Sequence, residues 1–351
     1  MTSIKSTLIV GLVHLLLSAG FPSRVEAQTT RLFPVLNDNS ISKESCRSGY
    51  IDRSGDLIIG FKFYYTSDFS EGLAAVMLQK EGKWAYVNTK GDVVINGDFD
   101  EANSFREGYA VVEKNGGRFV IDERGSIVFT NRYITESFSE GLILARRAGT
   151  WGFIGRRGEI AVPFRFSDAN DFHEGLAAVV VKEKIGYIDK SGSWVIEPRL
   201  ETMEYAADWV RLPNFSEGLA VYRDGASYGY IDKKGLVVIP ASFQRAMPFS
   251  EGLAQVSVGG KWGYIDKLGK FVIESKFDRG GSFSEGLAAV WVAGKWGYTN
   301  REGVMVVQPA YDTAASFLSG IAEVTVYDNK KKVTKRGYIN QKGEFIYSWE
   351  R

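Results

Sequence analysis

The sequence predicts an all-β protein made of tandem repeats, each a three-stranded antiparallel meander. The phrase Lys-Trp-Gly-Tyr recurs, most clearly from Lys261 and Lys295, at a spacing of 295 − 261 = 34 residues. A second phrase, Phe-Ser-Glu-Gly-Leu-Ala at 283–288, recurs in step with it. The 351 residues include 39 Gly and 13% aromatics but only 8 Pro. Self-similarity at a fixed period indicates a repeat architecture, and this composition suits short strands joined by tight turns.

The first predicted element of each copy is a hairpin. A glycine always stands three residues after an index position that holds Asp, Asn or, once, Gly. Asp or Asn caps a type I turn with its side chain, and Gly at the fourth position accepts a positive φ. The pattern predicts a turn between strands such as Trp262–Ile265 and Phe271–Ile273. The nine index residues are Asp52, Asn88, Asp122, Gly155, Asp189, Asp232, Asp266, Asn300 and Asn340.

A third strand is predicted after each Glu-Gly pair or its variant. A loop of about a dozen residues precedes it, and Arg31–Leu36 is a candidate for a ninth, irregular strand. The eight regular strands are Leu73–Val76, Tyr109–Val112, Leu142–Ala145, Leu176–Val181, Leu219–Tyr222, Leu253–Val258, Leu287–Val292 and Ile321–Val326.

Aromatic residues recur in the predicted loop. A Phe precedes the Ser-Glu-Gly phrase, as at Phe283, and a second ring such as Phe277 stands six residues upstream. Each buried ring removes ~150–250 Å² from water, so we expect these rings to pack the loop against the strands. We also expect the Gly of Trp-Gly, such as Gly263, to let a neighbouring ring lie on bare backbone.

These phrases resemble the bacterial tryptophan-glycine (WG or KWG) repeat family, from about Gly49 to Tyr347. The resemblance implies an all-β tandem repeat, typical of secreted or envelope-associated proteins, and implies no established catalytic residues. Such repeats stack as an open array or close into a propeller. Because the chain ends just after its last hairpin, as a capping half-unit would, we favour an open curved array over a closed propeller-like ring.

The N-terminal residues predict a signal peptide, and the rest of the chain divides into three segments. Residues 1–27 read as a signal peptide, with Lys5 in its positive region, an apolar stretch from Thr7 to Ala19 and a cleavage site after Ala27. An uncleaved anchor is the alternative. Residues 28–48 form a lead-in, 49–347 an array of about eight and a half to nine units, and 348–351 the C-terminal end. We therefore expect a secreted, periplasmic or envelope protein, with no transmembrane segment after the signal peptide.

Charge and composition argue against several functions. Without the signal peptide, 43 − 2 = 41 basic residues face 42 − 1 = 41 acidic ones, and this neutrality argues against nucleic acid as a partner. His173 and Cys46 are the remaining His and Cys, too few for a catalytic circuit or a zinc site. We predict no catalytic residues, no cofactor and no metal. Cys46 either pairs between chains or sits passively in the lead-in.

The candidate binding residues are the irregularities of the repeat. The fifth copy is longer by 43 − 34 = 9 residues and the eighth by 40 − 34 = 6. Insertions in repeat proteins collect on the binding face, although the basic eighth loop has a plainer interpretation as a solvated hairpin tip. An anionic docking point is its functional alternative. The candidates are Met203, Tyr205, Arg211, Lys330, Lys331 and Lys332.

Three functions follow, in order of preference. The first is a non-enzymatic scaffold that binds a protein partner, and the second is a module that binds cell-wall or surface glycan on exposed rings. The third is an unrecognised hydrolase. The recurring Glu before Gly, as at Glu251, is interpreted as a turn residue that bonds local backbone N–H groups. A row of carboxylates that binds cations or a basic partner is the alternative.

Overall fold

The computed structural model describes residues 31–37, 47–203, 212–330 and 332–350. These residues form nine antiparallel sheets, arranged as the blades of a β-propeller. Among them there is no helix, and hence none that is long and apolar enough to cross a membrane. The all-β prediction is confirmed.

Each blade is a meander whose strands we call a, b, c and d in chain order. Blades 1 and 6 show strands b, c and d within the described ranges, and the other seven show all four. Blades 1 to 3 contain β1 (Phe33–Leu36), β2 (Ser48–Ile51), β3 (Leu57–Phe63); β4 (Tyr65–Thr66), β5 (Leu73–Met77), β6 (Trp84–Asn88), β7 (Val93–Phe99); and β8 (Glu101–Ala102), β9 (Tyr109–Lys114), β10 (Gly117–Asp122), β11 (Ile127–Thr130). Blades 4 to 6 contain β12 (Ile134–Ser139), β13 (Leu142–Arg147), β14 (Thr150–Gly155), β15 (Ile160–Phe166); β16 (Asp168–Ala169), β17 (Ala177–Val181), β18 (Lys184–Ile188), β19 (Trp194–Glu201); and β20 (Leu219–Asp224), β21 (Ser227–Asp232), β22 (Val237–Phe243). Blades 7 to 9 contain β23 (Arg245–Ser250), β24 (Leu253–Val258), β25 (Lys261–Ile265), β26 (Phe271–Phe277); β27 (Arg279–Gly280), β28 (Ala288–Val292), β29 (Lys295–Thr299), β30 (Met305–Tyr311); and β31 (Thr313–Ala314), β32 (Ile321–Asp328), β33 (Val333–Asn340), β34 (Phe345–Glu350).

The segment predicted as a loop contains a strand. The usually short strand a lies there and pairs with strand b, so most blades have four strands rather than the predicted three. The upstream ring of the aromatic pair, such as Phe277, is the last residue of strand d rather than part of a loop. The final blade also runs on to Glu350, so the array extends beyond the predicted boundary at 347.

The predicted turn between strands c and d is confirmed. Oδ1 of Asp266 accepts hydrogen bonds from the backbone N–H groups of Leu268 (2.9 Å) and Lys270 (3.0 Å), and Gly269 has φ +78°. Blade 4 lacks the acid at its index position, Gly155. There the carboxylate of Glu159 accepts the N–H of Arg157 at 3.0 Å, so a neighbouring side chain bonds within the turn instead.

The recurring aromatics join one blade to the next. The ring of Tyr264 lies 6.4 Å from Phe277 in its own blade and 4.8 Å from Phe283 in the following blade. Its hydroxyl donates to the carbonyl of Gly281, also in the following blade (2.8 Å). Equivalent Tyr hydroxyl bonds start from Tyr50, Tyr86, Tyr187, Tyr230 and Tyr298. These rings are buried, which confirms that the described members of the aromatic pattern form the core.

The glycine of the Trp-Gly phrase has a different neighbour from the one we predicted. A Cβ on Gly263 would lie 2.5 Å from the carbonyl oxygen of Ile273 on strand d. The register between strands c and d shifts between Trp262 and Tyr264. The backbone of the adjacent strand, and not an aromatic ring, therefore requires glycine here.

The ring of blades is closed, so our preference for an open array was wrong. Nine hydrophobic clusters occur among the described residues, one at each junction between successive blades, and the ninth joins blade 9 to blade 1. In that cluster, the ring of Tyr338 lies 5.5 Å from Phe33, and its hydroxyl donates to the carbonyl of Pro34 (3.0 Å). This junction, which we call the seam, brings together residues about 300 positions apart (338 − 34 = 304).

The meander gives the propeller two distinct faces. Because adjacent strands are antiparallel, the a–b and c–d turns lie at one face, which we call the Glu face after its Glu-Gly turns. The b–c turns and the d–a connections lie at the opposite face, which we call the arm face. Of the two irregular segments singled out from the sequence, the described residues at 203 and at 330 lie on the arm face.

Candidate functional site

A belt of carboxylates runs around the Glu face. The carboxylate of Glu251 accepts the backbone N–H groups of Glu285 (2.6 Å) and Gly286 (2.9 Å) in the next blade. Arg301 of that blade lies 3.9 Å from the same carboxylate. The same inter-blade bond is made by Glu71, Glu107, Glu140, Glu174, Glu217 and Glu285. These glutamates do bond backbone N–H groups, but those of the next blade rather than of their own turn. The belt is therefore structural.

These contacts change the acidity of the belt. Partial burial acts to raise the pKa of Glu107, but hydrogen bonds from Arg156 and from the backbone N–H of Gly141 outweigh it, so its pKa lies below the ordinary 4.5. The pKa of Glu140 and that of Glu174 are lowered in the same way, by Lys190 and Lys233 respectively with backbone donors.

We expect acid to weaken the ring. A carboxylate with a depressed pKa in the folded state stabilises the protein above its unfolded pKa, and this contribution is lost as pH falls through the folded value. The urea midpoint should therefore drop as pH falls below 4.5. In Glu140→Gln, the drop should be smaller than in the wild type, because one titrating acceptor is gone. An unchanged pH dependence in that variant would contradict the assignment.

Two junctions of the belt have no cation at the position after the index residue. Where the ion pair forms, this position supplies a cation such as Arg156, Lys190 or Lys233 to the preceding blade's glutamate, but it is Gln341 in blade 9 and Glu123 in blade 3, where the belt glutamate is Glu71. We expect Glu123→Lys to stabilise the protein by ~0.2–1 kcal/mol, the usual range for an exposed ion pair. Urea unfolding measures this. Thr89→Lys, at the same turn position of blade 2, is the control, because no carboxylate of this belt faces it among the described residues.

The predicted binding residues are distributed unevenly. Met203 is half-buried and packs against the cores on both sides of blade 6, so it is part of the junctions rather than an exposed contact. Tyr205, Arg211 and Lys331 lie outside the described residues. Lys330 and Lys332 are exposed at the b–c turn of blade 9, where their backbone N–H groups donate to Asp328.

The seam carries the longest b–c turns. In six blades, strands b and c are joined by a pair of residues such as 115–116. The two strands are separated by residues 329–332 in blade 9, by 37–47 in blade 1 and by 78–83 in blade 2, and of these 331 and 38–46 lie outside the described residues. Strands β32 and β33 are also 8 residues long, compared with 5 for β28 and β29. The end of this hairpin, Val326–Lys330 with Lys332–Lys335, therefore projects from the arm face, and we call it the arm.

A cavity of about 320 Å³ opens beside the arm, between blades 9, 1 and 2. We call it the seam pocket. Apolar side chains, including Leu36 and Trp349, share its lining with polar groups such as Thr66, Glu323 and Arg336. It is thus built where the repeat is least regular.

Exposed aromatic rings are confined to the same region. Among all Phe, Tyr and Trp of the described ranges, only Tyr65 (60% exposed) and Tyr327 (44%) belong to the exposed class. Tyr65 lines the seam pocket. Tyr327 lies on the same face of blade 9 as Glu323, because side chains alternate along a strand and the two positions differ by an even number. Both rings therefore belong to blades that line the seam pocket.

Cations are exposed on the arm, whereas the seam pocket itself holds charges of both signs. Arg336 forms an ion pair with Glu323, and this hydrogen bond raises the pKa of the guanidinium. Lys330 and Lys332 form no ion pair with any residue that the structure describes. The side chain of Asp328 already accepts the N–H of Lys330 (2.8 Å). The arm thus presents cations to solvent.

Possible metal ligands do not cluster in the part of the chain that the structure describes. No cluster of three or more His, Cys, Asp or Glu residues suited to a metal occurs within the described ranges. His173 lies in the a–b turn of blade 5, where its backbone N–H donates to the carbonyl of Leu176 (2.8 Å).

Sequence reasoning identified the basic arm but missed the seam pocket. The adjacent Tyr64-Tyr65 pair and the long turn at 78–83 were the available signals.

Comparison with known proteins agrees with this fold. The WG containing repeat family matches residues 49–84, 84–117, 151–184, 185–207, 228–262, 262–296 and 296–330, more than half of the chain. No curated protein matches it. A crystal structure of the eukaryotic initiation factor has a TM-score of 0.61 at 13% identity, covering 92% of this chain and 96% of that chain. For the dihydro-heme d1 dehydrogenase NirN in complex with DHE, the values are 0.44 and 15%, covering 95% and 76%. The likeness to the initiation factor concerns the fold alone, and nothing is argued from the likeness to NirN. By its repeats, the chain belongs to the WG repeat family.

Proposed function

We propose that this member of the WG repeat family is a non-enzymatic scaffold whose protein partner binds the arm face at the seam. The observation that carries the proposal is the location of the exposed aromatic rings of the described residues: Tyr65 lines the seam pocket, and Tyr327 lies on the sheet face of blade 9 that also carries Glu323 of the pocket lining. Tyr is enriched at protein interfaces because it combines a large apolar body with a polar tip. Propellers present such surfaces on a rigid ring.

The glycan alternative has less support. Sugar binding on aromatic repeats requires open ring faces, but Trp349 in the seam pocket is 4% exposed and Tyr338 is 5% exposed. Among the other Trp rings that the structure describes, none belongs to the exposed class. A protein partner that contacts both tyrosines and inserts a side chain into the seam pocket fits this surface better.

Site-specific photo-crosslinking in the producing cells tests the proposal. A photoreactive amino acid is placed at Tyr65, at Tyr327 or, as a control, at Leu268, which is 77% exposed on the opposite Glu face. We expect the same protein to be crosslinked from 65 and 327 and not from 268. Crosslinks from 268 alone, or from no position, would contradict the proposed surface.

We also propose that the scaffold acts outside the cytoplasm, since 1–27 has the three regions of a signal peptide. Mass spectrometry of the mature protein should then give Gln28 as the first residue. Recovery of the intact chain from the cytoplasmic fraction alone would contradict export.

A further inference from the structure

The seam pocket and the arm together indicate the chemistry of the partner. Resting on the proposed function, we infer that the partner presents an extended acidic segment carrying one bulky apolar side chain. The apolar side chain enters the seam pocket, and the flanking carboxylates contact the cations of the arm and Arg336.

The size and lining of the pocket suit one side chain. Its volume of about 320 Å³ is at the lower end of the ~300–1,000 Å³ of small-ligand sites. Val35, Leu36 and Trp349 supply apolar contacts, while Ser48 and Thr66 supply hydroxyl groups that can meet a peptide backbone. This lining of mixed polar and apolar groups suits a side chain together with the backbone of a peptide segment.

The backbone of β1 does not favour strand addition as the binding mode. On strand b of blade 2, the carbonyl of Ala75 accepts the N–H of Ser67, the residue that follows strand a (2.9 Å). Register places Pro34 at the equivalent position of β1, because Pro34 pairs with Tyr50 as Ala75 pairs with Tyr86. Proline has no N–H, and its carbonyl already accepts the Tyr338 hydroxyl. Recognition at this edge therefore depends on side chains.

The cations beside the pocket determine which residues flank the apolar side chain in the partner's segment. Arg336 uses Nε for Glu323, and a guanidinium has five N–H donors, so further donors remain for a partner's carboxylate. Lys330 and Lys332 add two exposed ammonium groups without an acidic partner among the described residues. Register places Tyr327 on the same sheet face as Arg336, so an acidic segment that follows this face passes both.

A peptide-display selection on the full mature chain tests this inference. We expect enriched sequences with clustered Asp or Glu around one Leu, Ile, Met or Phe. Synthetic peptides from the selection should bind Lys330→Glu/Lys332→Glu at least about tenfold more weakly than the wild type at physiological salt. The control Lys234→Glu/Lys270→Glu makes the same charge change at exposed turns of the Glu face, and it should retain affinity within about twofold.

A second variant tests the pocket independently of charge. Thr66→Trp places a large ring in the pocket lining and should weaken the same peptides at least about tenfold, with thermal melting as the check on folding. Enriched peptides without acids, or binding unaffected by the Lys330 and Lys332 reversal, would overturn the inference. So would a chain that captures heparin or phosphatidylglycerol vesicles but selects no peptide. If the crosslinks from 65 and 327 persist in any of these cases, only the partner chemistry is wrong and the proposed surface stands.

Discussion

Tyr338→Ala is expected to lower the free energy of unfolding by about 3–5 kcal/mol, the range for truncating a large buried ring. Tyr338 is 5% exposed and lies between Phe33 (5.5 Å) and Trp349 (6.1 Å). Its removal leaves a void and withdraws the hydroxyl donor from the carbonyl of Pro34. The cost should be high because no peptide bond joins blade 9 to blade 1, so the seam is held by packing and hydrogen bonds alone.

Two matched variants separate the parts of this effect. Tyr338→Phe removes only the hydroxyl and should cost ~1 kcal/mol, as a buried hydrogen bond does. Tyr298→Ala removes the equivalent ring at the junction of blades 8 and 9, where the chain itself also connects the blades. Urea unfolding followed by Trp fluorescence measures all three. A loss below ~1 kcal/mol for Tyr338→Ala would mean that the seam contributes little to stability.

Gly303→Ala should cost about 2–5 kcal/mol, from two effects that add at this turn. Gly303 has φ +78°, and a left-handed conformation costs an L-residue ~1–2 kcal/mol. A Cβ would also lie 3.0 Å from Cγ2 of Ile273 in the preceding blade, and such overpacking typically costs ~1–3 kcal/mol.

Gly286→Ala isolates the first effect. Gly286 has a nearly identical φ of +79°, but a Cβ there would meet nothing within 4 Å. Its loss of stability should therefore be ~1–2 kcal/mol. Equal losses for the two variants would contradict the close approach between blades at the c–d turn, and with it the explanation for this recurring glycine.

Local features of the fold were predictable because the sequence repeats them. The Asp-x-x-Gly turn at 266–269 depends on contacts within five residues, and the structure has it as expected. The burial of Phe283 was also predictable, since a ring that recurs in every copy is expected to have the same packing role in every blade. The partner of Glu251 was not predictable, because its donors lie 34 and 35 residues away in the next blade.

Closure of the ring was the main failure, and it has a physical reason. Whether repeats close depends on a small rotation per blade that no single residue type encodes. The closing strand is also a divergent copy, since Phe33 takes the register position that Ala74 has in blade 2. The larger ring of Phe33 fills space against Tyr338, so the residue that made β1 hard to recognise is one that closes the seam.

The candidate site was predictable only in part, for a related reason. A run of lysines is visible in any sequence, so the exposed Lys330 and Lys332 were identified. The seam pocket combines Leu36, Tyr65 and Trp349 from the two ends of the chain, and no local pattern places them together. Met203 looked like an exposed insertion residue, but long-range packing on both sides of blade 6 half-buries it.

Hydrogen exchange in blade 1 tests the closed ring most directly. Amides of Phe33–Leu36 and Ser48–Ile51 are compared in the wild type, Tyr338→Ala and Tyr298→Ala. In a closed ring, Tyr338→Ala should accelerate exchange in both blade 1 segments at least about tenfold, whereas Tyr298→Ala should act mainly on blades 8 and 9. Faster exchange in blade 9 with unchanged exchange in β1 and β2 would show that the two blades do not meet, and would contradict the closed propeller.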